Sequence, residues 1–178
     1  MSQLNPPSNT HVRGAVTDES PIIARVLYQA FVEFEAQYTP AAFVATTPAS
    51  DEIQKRWSDG PVWVAAQGDQ LVGTISATPK SEGLYIRSMA VLPSSRGHGI
   101  GQLLLQAVEQ FAIAQGFQRM FLSTTPFLAA AIRLYDQFGF QRSNEEPHEL
   151  FGTSLFTMIK LLELATQADL DITDTSIE

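Results

Sequence analysis

Between Leu84 and Thr124 the chain reads as strand, glycine-rich loop, helix, strand. That order constrains the fold more than any other stretch. LYIRSMAV, Leu84 to Val91, is a β-rich run stopped by Pro93. RGHGIG follows, with Gly97, Gly99 and Gly101, and the chain then turns apolar. Ile100, Leu103, Leu104, Ala107, Val108 and Phe111 recur at i, i+3, i+4 spacing, the mark of an amphipathic helix, and Gly116 stands where its C-cap belongs. FQRMFLST then supplies another strand. A strand, a crossover helix and a second strand belong to an α/β sheet.

The flanking segments extend this pattern. PVWVAAQ and LVGTISAT are β-rich runs joined by a Gly68-Asp69-Gln70 turn, which predicts a hairpin. Ahead of them Asp18 or Ser20 can cap a helix through IIARVLYQAFVEFE, with Pro21 in its first turn. A second helix is expected from Thr47-Pro48 toward Trp57, ending near Gly60. Thr125-Pro126 reads as an N-cap with proline after it, opening the helix FLAAAIRLYDQF, which stops at Gly139. Gln141 to Pro147 reads as polar loop and LFGTSLFTMIKLL as a closing strand. Residues 1–10 read as a flexible arm, 11–163 as one domain and 164–178 as an acidic tail.

Composition narrows the chemistry. Eleven basic residues against 19 acidic ones give a net charge of −8. That argues against nucleic acid or an anionic membrane as partner, since both call for clustered Lys and Arg. There is no cysteine, which rules out disulfides, thiolate nucleophiles and Cys-ligated metals. His11, His98 and His148 lack metal-ligand spacing, so no metal is expected. The N-terminus lacks an apolar signal core, and a cytoplasmic protein is the expectation.

The glycine loop invites an anion. The first turn of a helix leaves N–H groups without intrahelical partners, and its dipole adds partial positive charge. Glycines let a phosphate approach those groups, and Arg96 and His98 could add charged donors. A P-loop is excluded because no Gly-Lys-Ser/Thr follows. The dinucleotide fingerprint fails because Gln102 and Leu104 stand where its last glycine belongs. A ligand-free turn is the alternative.

Arg96-Gly97-His98-Gly99-Ile100-Gly101 resembles the R/Q-x-x-G-x-G/A signature of the GNAT superfamily of N-acetyltransferases. Leu134-Tyr135-Asp136-Gln137-Phe138-Gly139-Phe140 resembles that superfamily's LYxxxGF segment, in the expected order and spacing. Arg13 to Asp18 is similar to its first strand and turn, and LFTMIKLL to its closing strand. The resemblance implies a central mixed sheet whose two parallel strands splay apart, flanked by helices. It implies acetyl-CoA as cosubstrate, with the pyrophosphate on the amides of Arg96, Gly97, His98, Gly99, Ile100, Gly101 and Gln102. The pantetheine arm would run along Met89, Ala90 and Val91, pairing with the main chain of Met89 and Val91. Tyr135 matches the tyrosine that protonates the departing thiolate.

Two departures accompany these matches. Many members carry Asn six residues before the Leu of LYxxxGF, where this chain has Leu128. Some place a Glu base on the strand before the glycine loop, where this chain has Tyr85, with Glu82 three residues earlier. Either Glu82 acts as base, or the amine needs no dedicated one. Tyr28, Phe31 and Glu35 on the first helix, with Glu33, Phe34 and Tyr38, suit an amine with an apolar body. His148, in the loop before the closing strand, could face the same acceptor. The acceptor is then a small amine, a peptide N-terminus or a lysine, and a homodimer through the last strand is an open expectation. The alternative function is a non-catalytic acyl-CoA-binding sensor.

Overall fold

The computed structural model describes residues 9–163, so the arm through residue 8 and the tail from 164 lie outside the described residues. Eight strands form a mixed sheet in the order β1-β2-β3-β4-β5-β8-β6, with β7 paired to β8. The strands are β1 (Thr10–Gly14), β2 (Val62–Gln67), β3 (Gln70–Lys80), β4 (Gly83–Val91), β5 (Arg119–Thr124), β6 (Gln141–Arg142), β7 (His148–Leu150) and β8 (Thr153–Leu161). The helices are α1 (Ser20–Phe31), α2 (Pro40–Thr46), α3 (Ser50–Lys55), α4 (Ile100–Ala114) and α5 (Ala129–Phe138). Thr10, assigned to the arm from sequence, is the first residue of β1.

Strands β1 to β4 form an antiparallel meander, and β4 to β5 is the parallel step bridged by α4. Helix α4 buries Ile100, Leu104, Leu105, Val108 and Ala112 against the sheet. On the opposite face α1 buries Ile23, Val26, Leu27 and Ala30. Met120, Leu122, Ile75, Leu84 and Val64 complete the core between these layers. Tyr38, Ala42 and Phe43 make a second cluster beneath α2, with Phe34, Phe127 and Leu150 packed on it.

Several boundaries differ from the sequence reading. The first helix stops at Phe31, and Val32–Gln37 tightens into a 3-10 turn. Ser20 does not cap; it is the first helical residue, its hydroxyl donates to the Thr17 carbonyl, and Glu19 accepts the Val16 N–H. Helix α2 lies outside the helices expected from sequence, although Thr39-Pro40 carries the same cap-and-proline signal as Thr47-Pro48 and Thr125-Pro126. Thr39 Oγ1 accepts from Ala42 N–H at 3.3 Å and donates to the Phe151 carbonyl, tying α2 to the β7–β8 turn. At Thr125-Pro126 the chain makes only a turn, Leu128 N–H to Thr125 O, and the helix begins at Ala129. The closing strand is a hairpin, β7 and β8, turning at Phe151-Gly152, both with positive φ. β8 pairs with β5 on one edge and with β6 and β7 on the other, which leaves it little edge for a second copy.

Gly60 gives this architecture a testable weak point. A Cβ there would stand 2.1 Å from the Ala77 carbonyl oxygen, which is backbone and cannot swing aside. Gly60→Ala is expected to destabilise the fold by about 1–3 kcal/mol in urea unfolding, as overpacking does. Gly14→Ala, with nothing within 4 Å of its Cβ, is expected to leave the midpoint unchanged.

Candidate active site

The site grows from the place where two parallel strands stop pairing. β4 and β5 match at Leu84↔Met120, Tyr85↔Phe121 and Ile86↔Leu122, and no further. Just beyond, β4 bulges: Ser88 and Met89 together oppose Ile75, and Ser88 has a φ of 53°. A bulge adds a residue and bends its strand, so β4 leaves the line of β5. The Leu92 N–H donates to Val72 O at 2.8 Å. By strand alternation Met89 and Val91 then turn their main-chain groups to the other edge, toward the gap. Ala90 turns its own toward β3, so of the three residues expected along the arm it offers no main-chain donor to the gap. The Val91 carbonyl already accepts Arg96 Nε at 3.2 Å.

At the end of this gap lies the start of α4. Among the described residues, the amides of Gly97, His98, Gly99, Ile100, Gly101 and Gln102 donate to no main-chain carbonyl; the first helical bond is Leu103 N–H to Gly99 O. The Arg96 N–H is partly used, at 3.4 Å from Pro93 O. Gly97 and Gly99 both have positive φ, and a Cβ on Gly97 would meet open space. Gly101 has another purpose: its Cβ would come within 2.6 Å of Leu134 on α5, so it lets the two helices close. This cradle of open amides fits a pyrophosphate.

The Arg96 side chain is not the free phosphate donor that the sequence suggests. Its guanidinium is committed to Ala30 O at 2.8 Å, Val91 O and the Glu33 carboxylate. It ties the loop to the end of α1. His98 likewise folds back, its Nδ1 3.3 Å from Ser95 O.

Tyr135 lies on α5, 8% exposed, its ring 5.9 Å from Phe140. Burial, reinforced by the phenols of Tyr38 and Tyr85, pushes its pKa well above the ordinary tyrosine value. It therefore holds its proton throughout the physiological range. Leu128 ends the turn before α5 and presents no polar group there.

On the face that carries α1 a cleft of about 260 Å³ opens over β5 and β8, lined by Glu82, Arg119, Phe121, Ser123, Glu145, His148, Thr157 and Ile159. Tyr85 borders it, its ring 5.2 Å from Phe121. Glu82 sits at the cleft's end in the β3–β4 turn, fully exposed. Its carboxyl is held below its ordinary pKa, first by its own main-chain N–H and then by the Ser81 hydroxyl. A carboxylate so stabilised is a weak proton acceptor.

Tyr28, Phe31 and Glu35 do not line this cleft. Tyr28 packs edge-on against Phe43, Phe31 wedges between the two core clusters, and Glu35 is exposed on the 3-10 turn. The cleft's Phe121, Ser123, Thr157 and Ile159 went unnoticed in the sequence. Their signal was alternation: FQRMFLST and LFTMIKLL place every second residue on one face.

Comparison with known proteins agrees with this geometry. The family model for the Acetyltransferase (GNAT) family matches residues 27–140. The uncharacterized N-acetyltransferase YjgM of Escherichia coli K12 is 32% identical over 142 residues, covering 76% of this chain and 84% of that protein. N-acetyltransferase 8B of Rattus norvegicus is 37% identical over 89 residues, 47% of this chain and only 40% of its own length. Among solved structures, PaiA N-acetyltransferase of Thermoplasma acidophilum, in complex with coenzyme A, superposes with a TM-score of 0.73 at 15% identity, covering 86% of this chain and 99% of that one. YncA of Salmonella typhimurium with acetyl-CoA gives 0.68 at 22% identity, over 88% and 95%. At such identities the likeness is one of fold.

The Arg96 tether can be tested by stability. Arg96→Ala removes two hydrogen bonds to carbonyls and is expected to cost about 1–3 kcal/mol in urea unfolding. Glu33→Gln removes only the exposed ion pair and is expected to cost less than about 1 kcal/mol.

Proposed function

The chain belongs to the acetyltransferase (GNAT) family, and from that premise we propose that it transfers the acetyl group of acetyl-CoA directly to a primary amine. The observation that carries this is the gap between β4 and β5, which opens toward the unpartnered amides at the start of α4. Met89 and Val91 offer main-chain groups along the gap, which an amide-bearing arm can pair as an added strand would. The amides from Gly97 to Gln102 hold the pyrophosphate, and the positive end of α4 adds to its binding. Arg96 acts from behind, by holding the loop in shape.

When bound, acetyl-CoA supplies an activated thioester. The Val91 N–H, turned to the gap, is placed to stabilise negative charge developing on the carbonyl oxygen. Tyr135 keeps its phenolic proton by burial and delivers it to the departing sulfur. The acceptor enters from the α1 face, through the cleft where Phe121 and Ile159 can hold an apolar body and Glu82 and Glu145 a cationic head. The acceptor class is a small-molecule amine, a peptide N-terminus or a lysine.

A binding-only sensor is the second reading, favoured by Leu128 where many members carry Asn. Turnover separates the two. Phenethylamine, spermidine, a tripeptide and lysine are assayed for acetyl-CoA-dependent release of free thiol. The transfer reading expects turnover with at least one; binding of acetyl-CoA without turnover of any favours the sensor. Tyr135→Phe is expected to lower kcat about 10²- to 10⁴-fold. Its affinity for acetyl-CoA, measured by calorimetry, should stay within about twofold, corresponding to about 0.4 kcal/mol. Because the Tyr135 pKa is raised, the wild-type rate should show no falling limb from this group up to about pH 10. A limb below that, absent in Tyr135→Phe, would contradict the raised pKa; an undiminished kcat in Tyr135→Phe would contradict the general-acid assignment.

A further inference from the structure

The transfer reading leaves one chemical need unassigned. An amine is mostly an ammonium at neutral pH and must lose a proton before it can attack. Glu82 is poorly suited, since its carboxyl is already stabilised as the anion and lies at the cleft's far end. Tyr85 occupies the position where some members of the family carry Glu, and it brings no carboxylate there.

A different pair stands at the right place. Ser123 is the residue immediately after Leu122, where β4 and β5 make their last pair. It therefore stands at the mouth of the parted strands. Its side chain lies on the same face as Phe121 and Tyr85, the acceptor face, by strand alternation and parallel register. The imidazole of His148 meets it from β7: His148 Nε2 is 3.2 Å from Ser123 Oγ. The β7–β8 hairpin holds His148 there through its register with Leu155. Thr39 fixes the hairpin tip in turn, donating its N–H to Thr153 Oγ1 at 2.9 Å and its hydroxyl to Phe151 O at 2.7 Å. His148 is solvent-exposed on its other side, which gives a proton an exit.

Resting on the transfer reading above, we propose that Ser123 and His148 form the relay that deprotonates the acceptor amine. The ammonium gives a proton to Ser123 Oγ as the Ser123 hydroxyl proton passes to His148 Nε2, leaving a neutral amine and an imidazolium. The amine lone pair then forms the C–N bond to the thioester carbonyl carbon. The C–S bond breaks, and sulfur takes the Tyr135 proton. The second amine proton leaves the new C–N centre and restores the phenol. The imidazolium releases its proton to water, so one proton is produced per acetyl transferred.

The charged groups that face His148 are of both signs. Glu145, in the loop before β7, and Glu82 at the cleft's end are carboxylates that share the cleft with it. Arg119 on β5 is a cation in the same cleft and keeps its charge, its Nε donating to the neutral Glu82 carbonyl. Thr157 and Ile159 on β8 and Phe121 on β5 are uncharged. Glu149 is the next residue on β7, and Tyr85 stands beyond Phe121.

The test uses the full chain and the fastest of the four amines. In the wild type, kcat/KM is expected to rise with pH through an acid limb. His148→Gln is expected to lose that limb and to fall about a hundredfold at pH 7. Its deficit should shrink steadily toward pH 9, where more of the amine is already neutral. Ser123→Ala should behave similarly, with the KM for acetyl-CoA unchanged in both variants. A His148→Gln deficit of equal size at every pH would mean that His148 only positions the amine, and would overturn the relay. A wild-type profile in His148→Gln would overturn it too.

A readout free of turnover keeps the pair testable by itself. The His148 imidazole is titrated by NMR in the wild type and in Ser123→Ala. The relay predicts a displaced titration midpoint in Ser123→Ala; an identical midpoint would show that the two groups are uncoupled and overturn the relay. Absence of turnover with all four amines would instead remove the transfer reading, leaving the titration to decide whether the pair exists.

Discussion

Everything functional in this chain depends on a failure of pairing. β4 and β5 make three registered pairs and then separate, although both strands continue. A sheet ordinarily satisfies each main-chain donor and acceptor with a neighbour, and leaving them open inside a protein is costly. Here the bulge at Ser88 and Met89, against Ile75, turns β4 away while its other edge stays bonded to β3. The left-handed Ser88 concentrates the strain of that turn in one residue. The gap it creates leaves a row of main-chain groups along β4 and a mouth at Ser123, which the proposed function assigns to a cofactor arm and an acceptor.

The second constraint is how the glycine loop keeps its shape without filling its own cradle. The three glycines divide the labour. Gly97 and Gly99 adopt positive φ, which turns successive amides outward. Gly101 gives up its side chain so that α5 can approach through Leu134, and that approach seats Tyr135 one residue further along the same helix. Arg96 then fastens the loop to the last turn of α1 through Ala30 O. The glycine loop, the helix that carries Tyr135 and the first helix are thus mechanically joined.

The α/β class, the meander, the crossover helix and the glycine cradle were legible in the sequence because each carries a local signal: period-2 runs, i, i+3, i+4 spacing, or glycines before an apolar face. The two motifs in order pointed to the family. The rest is tertiary in origin. The Arg96 charge reads as a phosphate ligand in sequence; only the fold brings Ala30 and Glu33 to it across more than sixty residues. Tyr28 and Phe31 read as an acceptor surface in sequence; in the fold Tyr28 stays half exposed beside Phe43 of α2, and Phe31 packs between the two core clusters. Ser123 looks like an ordinary strand residue until the β4–β5 register makes it the first one past the last pair. No periodicity announces where two strands will part.

The proposed transfer requires that the β4–β5 gap and the α4 amides together receive acetyl-CoA. A ¹H–¹⁵N correlation spectrum recorded through a titration with acetyl-CoA tests it most directly, because it reports on the amides themselves. The largest shifts are expected at Gly97, His98, Gly99, Ile100, Gly101 and Gln102 and along Met89 and Val91, with the β1–β2 pairing undisturbed. An unchanged spectrum at millimolar acetyl-CoA, or shifts confined to residues away from β4 and α4, would contradict it.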